Sequence, residues 1–483
     1  VSQEELRARG IDQPDFVLVS GDAYVDHPTF GAAVITRVLE QQGYTVGLIA
    51  QPDWHNAEAF RKLGKPRLAF LVTAGNLDSM VNHYAVSGAR RDTDAYTENG
   101  VAGKRPDRAT IVYANRCREA YAGVPLVIGG LEASLRRFAH YDYWDNRVRH
   151  SILYDACADI LVYGMGERAI RQIADALNAG TPVCELTSIP GTCVRVSSAE
   201  QANGALLLPS YNEVAADKRK YCEAFVQQTR EQDAVRGKRL LQPHEKGFLL
   251  CNPPAAPLST KELDEVYALP FTRRPHPSIR GRVPALEEVS FSIASARGCF
   301  GNCNFCALTF HQGRVVTGRS HESILNEAKA FAKDPTFKGY IHDVGGPTAN
   351  FRHPSCTKQL KSGICADKEC IGFTACKNLD TSEEDYVVLL RKLRALDGIK
   401  KVFVRSGVRY DYALLDRDEP LTDAEPDDCA VAPAGRWIID PDGAVVRAGL
   451  VRHYAVRHSL WQLDPDIAYL SGDELPVGLR GFE

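Results

Sequence analysis

The chain has 483 residues, of which 44% are hydrophobic and 25% charged, the balance of a globular protein with a sizeable core. This length favours two or three domains over one. Lys and Arg number 58 against 61 Asp and Glu, so bulk charge does not indicate nucleic acid or an anionic membrane as a partner. The polar N-terminal stretch lacks the apolar core of a signal peptide, and no stretch approaches the roughly 18 apolar residues of a membrane-spanning helix, so we expect a cytoplasmic protein.

The first part of the chain alternates short apolar runs with helical patterns, which predicts an α/β fold with a parallel, doubly wound, Rossmann-like sheet over residues 1–236. Gly129-Gly130 and Gly164-x-Gly166 each follow a predicted strand, where ligands of such sheets usually bind. Tight turns without a ligand are the alternative. The predicted strands are 16–19, 45–50, 68–72, 124–130 and 158–167.

Prolines crowd residues 237–287, which predicts a linker or an extended arm. A second alternation follows and predicts a partial (β/α) barrel over 288–415, because strands joined by helices pair in parallel with right-handed crossovers. Its predicted elements are a strand at 288–294, a helix capped by Ser320, a strand at 339–346, a helix at 383–396 and a strand at 400–407.

Three of the fourteen cysteines, Cys299, Cys303 and Cys306, stand in a C-x3-C-x2-C pattern after the first strand of this second unit. A closed zinc site needs a fourth ligand, and the next histidines are His311 and His321. A four-iron cluster held by three thiolates keeps one iron open to a small molecule, which is useful to catalysis and not to structure. A zinc site completed by a distant ligand is the alternative.

This motif, in this place, resembles the radical S-adenosylmethionine (SAM) superfamily. Over about residues 1–415 the chain is similar to the YgiQ-type (UPF0313) family, on the stretches "GDAYVDHPTFG", "TAGNLDSM", "GGLEASLRRFAHYDYWD" and "HDVGGPTANFRHPSC". The resemblance implies a [4Fe–4S] cluster on Cys299, Cys303 and Cys306. It also implies reductive cleavage of SAM to a 5′-deoxyadenosyl radical, with an electron from a low-potential donor of the flavodoxin or ferredoxin type. It supplies no substrate.

The resemblance also implies residues that contact SAM. A glycine-rich turn after the second barrel strand receives the amino group of SAM in the superfamily, and Gly345 and Gly346 stand there. Pro347 replaces a frequent acidic residue, so the contact would be through backbone carbonyls. Polar residues after a later strand often hold the ribose or carboxylate of SAM; the candidates here are Arg405, Ser406 and Arg409, since an arginine fork suits a carboxylate.

A second group of cysteines follows the glycine turn. Four thiols lie within 21 residues of a segment with little apolar pattern, and His353 is nearby. They could hold a zinc ion or an auxiliary iron–sulfur cluster that helps the segment fold, although the irregular spacing also fits plain thiols. These residues are Cys356, Cys365, Cys370 and Cys376.

Some radical SAM enzymes use a Rossmann-like domain to bind cobalamin. Binding through a lower histidine expects D-x-H-x-x-G, whereas this chain has Asp26-His27-Pro28-Thr29-Phe30-Gly31. We therefore do not expect cobalamin, and we interpret His27 as structural or substrate-facing.

The barrel pattern stops after Tyr412. Residues 416–483 begin with an acidic, loop-like stretch and continue with a predicted hairpin around Pro441-Asp442-Gly443, which does not continue a parallel barrel. Members of the family normally extend further. We therefore predict a barrel incomplete at its C-terminal side, followed by a divergent tail of uncertain origin.

Two alternatives stay open at this point. Methylthiotransferase-like members of the superfamily modify RNA and share a Rossmann-like domain before the barrel; residues 135–150 are the candidate basic-aromatic patch for such a substrate. The second alternative is a non-catalytic iron–sulfur or zinc protein that uses its thiols for folding or sensing.

Overall fold

The computed structural model describes residues 2–303, 306–348, 350–371, 376–404, 412–414, 420–422, 424–439, 441, 445–446, 449–465, 468–476, 479 and 481–482. Its largest element is a nine-stranded sheet in the order β2-β1-β3-β4-β7-β8-β11-β10-β9. A small hairpin, β5–β6, lies beside this sheet. The strands are β1 (Phe16–Ser20), β2 (Val46–Ala50), β3 (Ala69–Thr73), β4 (Leu126–Gly129), β5 (His140–Asp142), β6 (Arg147–Arg149), β7 (Ile160–Val162), β8 (Thr192–Val196), β9 (Leu206–Leu207), β10 (Leu240–His244) and β11 (Gly247–Cys251).

The first five strands of this order pair in parallel, which confirms the predicted doubly wound α/β fold. Every residue of β1 is buried, because helices cover both faces of the sheet and leave neither to water. Two large hydrophobic clusters fill the space between the sheet and these helices. The helices are α1 (Gln3–Ala8), α2 (Gly31–Gln41), α3 (Glu58–Arg61), α4 (Ser79–His83), α5 (Ala109–Ala120), α6 (Gly130–Leu135), α7 (Ile152–Asp155), α8 (Glu167–Asn178), α9 (Tyr211–Ala216), α10 (Lys218–Arg230), α11 (Thr260–Tyr267) and α12 (Pro284–Val289).

The proline-rich segment 237–287 differs from the predicted linker, since it contributes β10 and β11 to the sheet. β11 pairs antiparallel with both β8 and β10, and Leu249 and Leu250 are fully buried. The prolines of this segment follow β11 or, like Pro243, stand in β10. The sequence signal was misleading because the prolines outnumber the short apolar runs that carry the sheet.

The second unit contains the predicted βαβαβ order. β12 pairs in parallel with β16, and β15 pairs in parallel with β17. The predicted first strand is shorter than expected, because Pro284 starts helix α12 and the strand begins only at Ser292. The elements are β12 (Ser292–Ala294), β13 (Ala296–Arg297), α13 (Leu308–Gln312), β14 (Thr317–Gly318), α14 (His321–Phe331), β15 (Tyr340–Ile341), β16 (Asp343–Gly345), α15 (Gln359–Ser362), α16 (Glu384–Arg394) and β17 (Lys401–Val402).

The C-terminal part of the chain forms antiparallel structure with a small hydrophobic cluster of its own. Strand β20 pairs with β22 and β23, while Val445 and Val446 are helical, so the predicted return strand of the hairpin is wrong. Residues 442–444 of the predicted turn lie outside the described residues. The elements are β18 (Tyr412–Leu414), β19 (Pro420–Thr422), β20 (Trp437–Ile439), α17 (Val451–Arg457), β21 (Trp461–Gln462), β22 (Leu470–Gly472) and β23 (Gly481–Phe482).

Across the part of the chain that the structure describes, no helix is both long enough and apolar enough to cross a bilayer.

Candidate functional site

The cysteine loop starts at the carboxyl end of the first barrel strand and is held by a tight backbone turn. Gly298 has φ +88°, and a Cβ atom there would lie 2.2 Å from the carbonyl oxygen of Val315. The N–H of Cys299 donates to the carbonyl of Gly313 at 3.0 Å, and the N–H of Gly298 donates to Gln312 Oε1 at 3.1 Å. The return segment through residues 312–315 therefore fixes where the first thiol stands.

The first two thiols of this loop lie beside the same glycine, Gly301. A Cβ atom on Gly301 would stand 3.3 Å from Cys299 Sγ and 3.7 Å from Cys303 Sγ. The Gly301 N–H donates to Cys299 Sγ at 3.4 Å, and the Cys306 N–H donates to the Cys303 carbonyl at 2.9 Å. The first thiol is buried at 8% exposure, the second is exposed and the third is half-buried.

This donor set fits an iron–sulfur cluster in its chemistry, since thiolates are the ligands such clusters take and an amide N–H already points at one sulfur. Within the described residues, no three His, Cys, Asp or Glu side chains converge as ligands of one metal ion. A four-iron cluster is larger than one ion, so its thiolates stand further apart than ligands of a single metal. Phe300, next to the first thiol, stacks on Phe351 with ring centroids 3.8 Å apart and covers one side of the loop.

The structure brings the glycine-rich turn to the cysteine loop. β12 and β16 are neighbours in register, with Ala294 opposite Gly345, so both loops leave the same edge of the sheet. The Ser295 N–H donates to the Gly345 carbonyl at 2.5 Å, and a Cβ on Gly346 would lie 2.6 Å from the carbonyl of Ala296.

Thr348, which sequence reasoning did not single out, links the two loops directly. Its Oγ1 lies 3.7 Å from Cys299 Sγ, and the side chain is buried. The only sequence signal was its position in "DVGGPTAN", three residues after the second barrel strand.

Arg405, Ser406 and Arg409, the predicted contacts to the SAM ribose or carboxylate, lie outside the described residues. Phe305, the aromatic residue before Cys306, does so too. The roles assigned to them stay predictions.

The second cysteine group lies against the first. Cys370 is half-buried and packs on the cluster that contains Cys299 and Phe300, while its Sγ lies 3.2 Å from Ser355 Oγ. Burial first, and then the neighbouring thiols Cys356 and Cys376, raise the pKa of Cys370. Cys365 is exposed. Metal binding by this group stays a prediction.

A buried ion pair joins the cysteine loop to the nine-stranded sheet. Arg297, two residues before the first thiol, pairs with Glu167, which starts α8 after the Gly164-x-Gly166 turn. Burial alone would raise the pKa of Glu167, but the Arg297 guanidinium outweighs it and holds this pKa below its usual value. No local pattern predicts this pair, because its partners lie 130 positions apart.

A histidine contact lies beside this ion pair. His311 Nδ1 lies 3.0 Å from Ser134 Oγ, which also accepts from the Gly164 N–H at 3.1 Å. Burial lowers the pKa of His311 to about 4, so the imidazole is neutral at pH 7. Gly164 therefore serves an interdomain contact.

His27 is built into the scaffold. Its Nδ1 lies 2.8 Å from Thr29 Oγ1 and its Nε2 lies 2.7 Å from Arg273 Nη1, and the residue is fully buried. Asp26 pairs with Arg37. Burial and the Arg273 charge hold the pKa of His27 far below its usual value. These contacts support the structural interpretation of His27; the expectation about cobalamin remains untested.

Most of the chain is similar to known proteins. A family model described as "Radical SAM N-terminal" matches residues 1–292. A UPF0313 protein of Clostridium perfringens is 56% identical over 422 residues, which cover 87% of this chain and 64% of the relative. A UPF0313 protein of Clostridium botulinum is 53% identical over 421 residues, covering 87% of this chain and 65% of the relative. The chain thus spans less than two thirds of the length of these relatives.

Among solved structures, the chain is similar to TsrM of Kitasatospora setae, a radical S-adenosylmethionine methyltransferase. One structure has a tryptophan substrate and a SAM analogue bound, and it matches with 16% identity and a TM-score of 0.38 over 66% of this chain and 45% of that one. Another structure, with cobalamin and a [4Fe–4S] cluster bound, matches with 16% identity and a TM-score of 0.37. The match covers 66% of this chain and 47% of that one. Likeness at this level is too weak to support a conclusion about this chain.

Proposed function

The chain belongs to the UPF0313 family of radical SAM proteins, and we propose that it is an enzyme that holds a [4Fe–4S] cluster on Cys299, Cys303 and Cys306 and acts on SAM. The observation that carries this proposal is the contact between two loops. The cysteine loop and the Gly345-Gly346 turn leave neighbouring parallel strands at the same edge. A cofactor held by the first loop would therefore meet a ligand held by the second.

Each part of the site has a role in this proposal. When bound, a reduced cluster of this kind supplies an electron that cleaves SAM to methionine and a 5′-deoxyadenosyl radical. The Gly301 N–H stabilises the charge on Cys299 Sγ. The stacked Phe300 and Phe351 rings exclude water from one side of the loop. The backbone carbonyls at Gly345 and Gly346 would receive the amino group of SAM.

The proposal includes a low-potential electron donor of the flavodoxin or ferredoxin type. Cys303 is the exposed thiol of the three, so electrons would enter on its side of the loop. The cysteine loop does not indicate which substrate the enzyme acts on.

Anaerobic reconstitution with iron and sulfide tests the proposal. We expect about four irons per chain, with 5′-deoxyadenosine released from SAM on reduction with dithionite. Cys303→Ala should lose both the brown colour and the release. The matched control is Cys222→Ala, an exposed thiol on α10, which should keep both.

Two results would contradict the proposal. If Cys303→Ala cleaves SAM at the wild-type rate, the assignment of Cys303 as a cluster ligand is wrong. A wild-type chain that takes up zinc in place of iron, with no cleavage, would favour the non-catalytic alternative.

No specific observation favours an RNA substrate. Tyr141 and Tyr143 in the candidate patch are exposed, but Arg108 and Arg149 beside them are paired with carboxylates, including Asp145. Arginines occupied in this way are poor phosphate ligands.

A further inference from the structure

A cavity of about 580 Å³ lies between the nine-stranded sheet and the cysteine loop. One wall is the turn that follows β7, from Tyr163 to Met165, and another is the segment Phe310–Gly318. This second wall holds the cysteine loop, because the Gly313 carbonyl accepts from the Cys299 N–H. A ligand in the cavity would therefore rest on the backbone that positions the first thiol.

The surface of this cavity is mostly apolar. Aliphatic and aromatic side chains from three parts of the chain line it, which is the usual composition of a site for an organic molecule. Its volume is in the range of such sites, about 300–1,000 Å³. The apolar lining includes Leu258, Leu263, Phe310, Val316, Leu360 and Ile364.

Four arginines also line the cavity, and three of them have carboxylate partners. Arg168 pairs with Glu262 at 2.7 Å, Arg352 pairs with Asp385 at 2.6 Å, and Arg297 pairs with Glu167. These three pairs neutralise their own charges and hold the scaffold. The fourth arginine is Arg314.

Arg314 is buried at 8% exposure and has no carboxylate within 4 Å among the residues that the structure describes. Its Nη2 donates to the Lys368 carbonyl at 3.3 Å, and its buried Nε has no hydrogen-bond partner within the described part of the chain. Asp233, the acidic residue in the lining, is already engaged by the N–H groups of Val235 and Ile364. A buried guanidinium without a counter-charge is costly and calls for an anion.

We propose that this cavity binds the substrate, an organic anion whose carboxylate or phosphate pairs with Arg314 and whose apolar body fills the remaining space. The inference deepens the proposed function, on which it rests for calling the occupant a substrate. Guanidinium is suited to both acid groups, because its N–H donors match two oxygens at once.

The test uses two fluorescent probes on the full chain, 8-anilinonaphthalene-1-sulfonate and its uncharged analogue N-phenyl-1-naphthylamine. We expect saturable binding of one sulfonate probe per chain. Arg314→Met should weaken it by about tenfold or more, equivalent to about 1.4 kcal/mol, and leave the uncharged probe unaffected. Arg219→Met, which removes the same charge from the exposed side of α10, should change neither affinity.

Two further variants distinguish the loss of the Arg314 charge from misfolding of the chain. Arg314→Lys keeps the charge and should retain most of the sulfonate affinity. Leu360→Glu places a negative charge on an exposed lining residue, where the fold tolerates it, and should weaken the sulfonate probe selectively. Equal sulfonate affinity in the wild type, Arg314→Met and Leu360→Glu would overturn the inference.

Competitors identify the acid group. Displacement of the sulfonate probe by 4-phenylbutyrate indicates a carboxylate site and displacement by phenyl phosphate a phosphate site; displacement by neither overturns the inference. Displacement by SAM that depends on Arg314 also overturns it, because the arginine would then serve the cofactor. These measurements do not require SAM cleavage. Probe binding can therefore fail in a chain that cleaves SAM, and it can succeed in a chain that does not.

Discussion

A single glycine sets the position of the cysteine loop. Gly298 adopts φ +88°, which L side chains rarely reach, and it approaches Val315 closely. Gly313, on the other side of the turn, has φ +85°, and no described residue lies within 4 Å of the position that a Cβ atom would take there. Alanine at Gly298 would therefore meet both backbone strain and a steric clash, whereas alanine at Gly313 would meet backbone strain alone.

Gly298→Ala should prevent formation of the cysteine loop. The strain costs about 1–2 kcal/mol, and the clash with a backbone oxygen adds to it because neither group can turn away. We expect iron uptake below about a fifth of the wild-type value after reconstitution. Gly313→Ala carries the strain alone and should keep most of its iron. Equal uptake by the two variants would show that the contact with Val315 is unimportant.

His244 makes stability depend on pH. It stacks on Tyr154 with centroids 4.4 Å apart, and neither of its buried ring nitrogens has a hydrogen-bond partner among the residues that the structure covers. Burial, and then the nearby His150, lower its pKa to about 4 from the usual 6.5. Between pH 6.5 and 4, His244 is therefore protonated in the unfolded chain but not in the folded one. The free energy of unfolding falls as the pH falls through this window.

His244→Phe should flatten this dependence, since phenylalanine keeps the stacking and cannot be protonated. At pH 5 the histidine contributes a loss of about 2 kcal/mol relative to pH 7.5. Urea unfolding midpoints of wild type and variant between pH 7.5 and 5 measure the difference. Parallel pH profiles for the two chains would contradict this account.

At the scale of elements, the segment 237–287 behaves as part of the sheet. β11 lies between β8 and β10, and its Leu250 side chain is fully buried in the cluster against α8 and α11. Leu207 in the edge strand β9 is 64% exposed in the same sheet. Removing the two side chains therefore distinguishes a core strand from a surface arm.

Leu250→Ala should destabilise the chain by about 2–5 kcal/mol, because the cavity it leaves adds to the lost transfer free energy. Leu207→Ala should cost less than about 0.5 kcal/mol. Urea unfolding followed by circular dichroism measures both. Similar small effects for the two variants would indicate that the segment is an arm after all.

At the scale of the whole molecule, ion pairs join the sheet to the cysteine-bearing unit. Arg297 and Glu167 are buried, with side chains 14% and 4% exposed, whereas Arg230 and Asp367 are 54% and 74% exposed. Both pairs connect the same two parts of the chain. Breaking the buried pair should therefore cost more, since an unpaired charge in the interior is far more costly than one in water.

Glu167→Gln should lower stability by about 3–5 kcal/mol by leaving the charge of Arg297 buried without its carboxylate partner. Adding Arg297→Met should recover part of this loss. Asp367→Asn, which breaks the exposed pair, should cost less than about 1 kcal/mol. A double-mutant cycle in urea provides these values, and additive effects of Glu167→Gln and Arg297→Met would rule out the coupling.

Sequence reasoning succeeded where the signal is local. The runs that became β1, β3 and β4 are short, apolar and separated by helical patterns, and Ser320 caps α14 as predicted, accepting from the Ser323 N–H. It failed at residues 288–291, which are the end of α12 and the turn after it, and at residues 445–446, which are helical although their composition is strand-like. In these short segments, the tertiary neighbours decide the outcome.

The sequence by itself determined the family, the doubly wound fold and the group of three thiols, because periodicity and spacing are properties of neighbouring residues. Tertiary structure alone decided that Thr348 meets Cys299 and that the Gly345-Gly346 turn lies against Ser295 and Ala296. It decided too that β10 and β11 complete the sheet. It also decided that Arg314 is buried without a carboxylate among the described residues. Burial and pairing depend on residues far apart in the chain, and only folding brings those residues together.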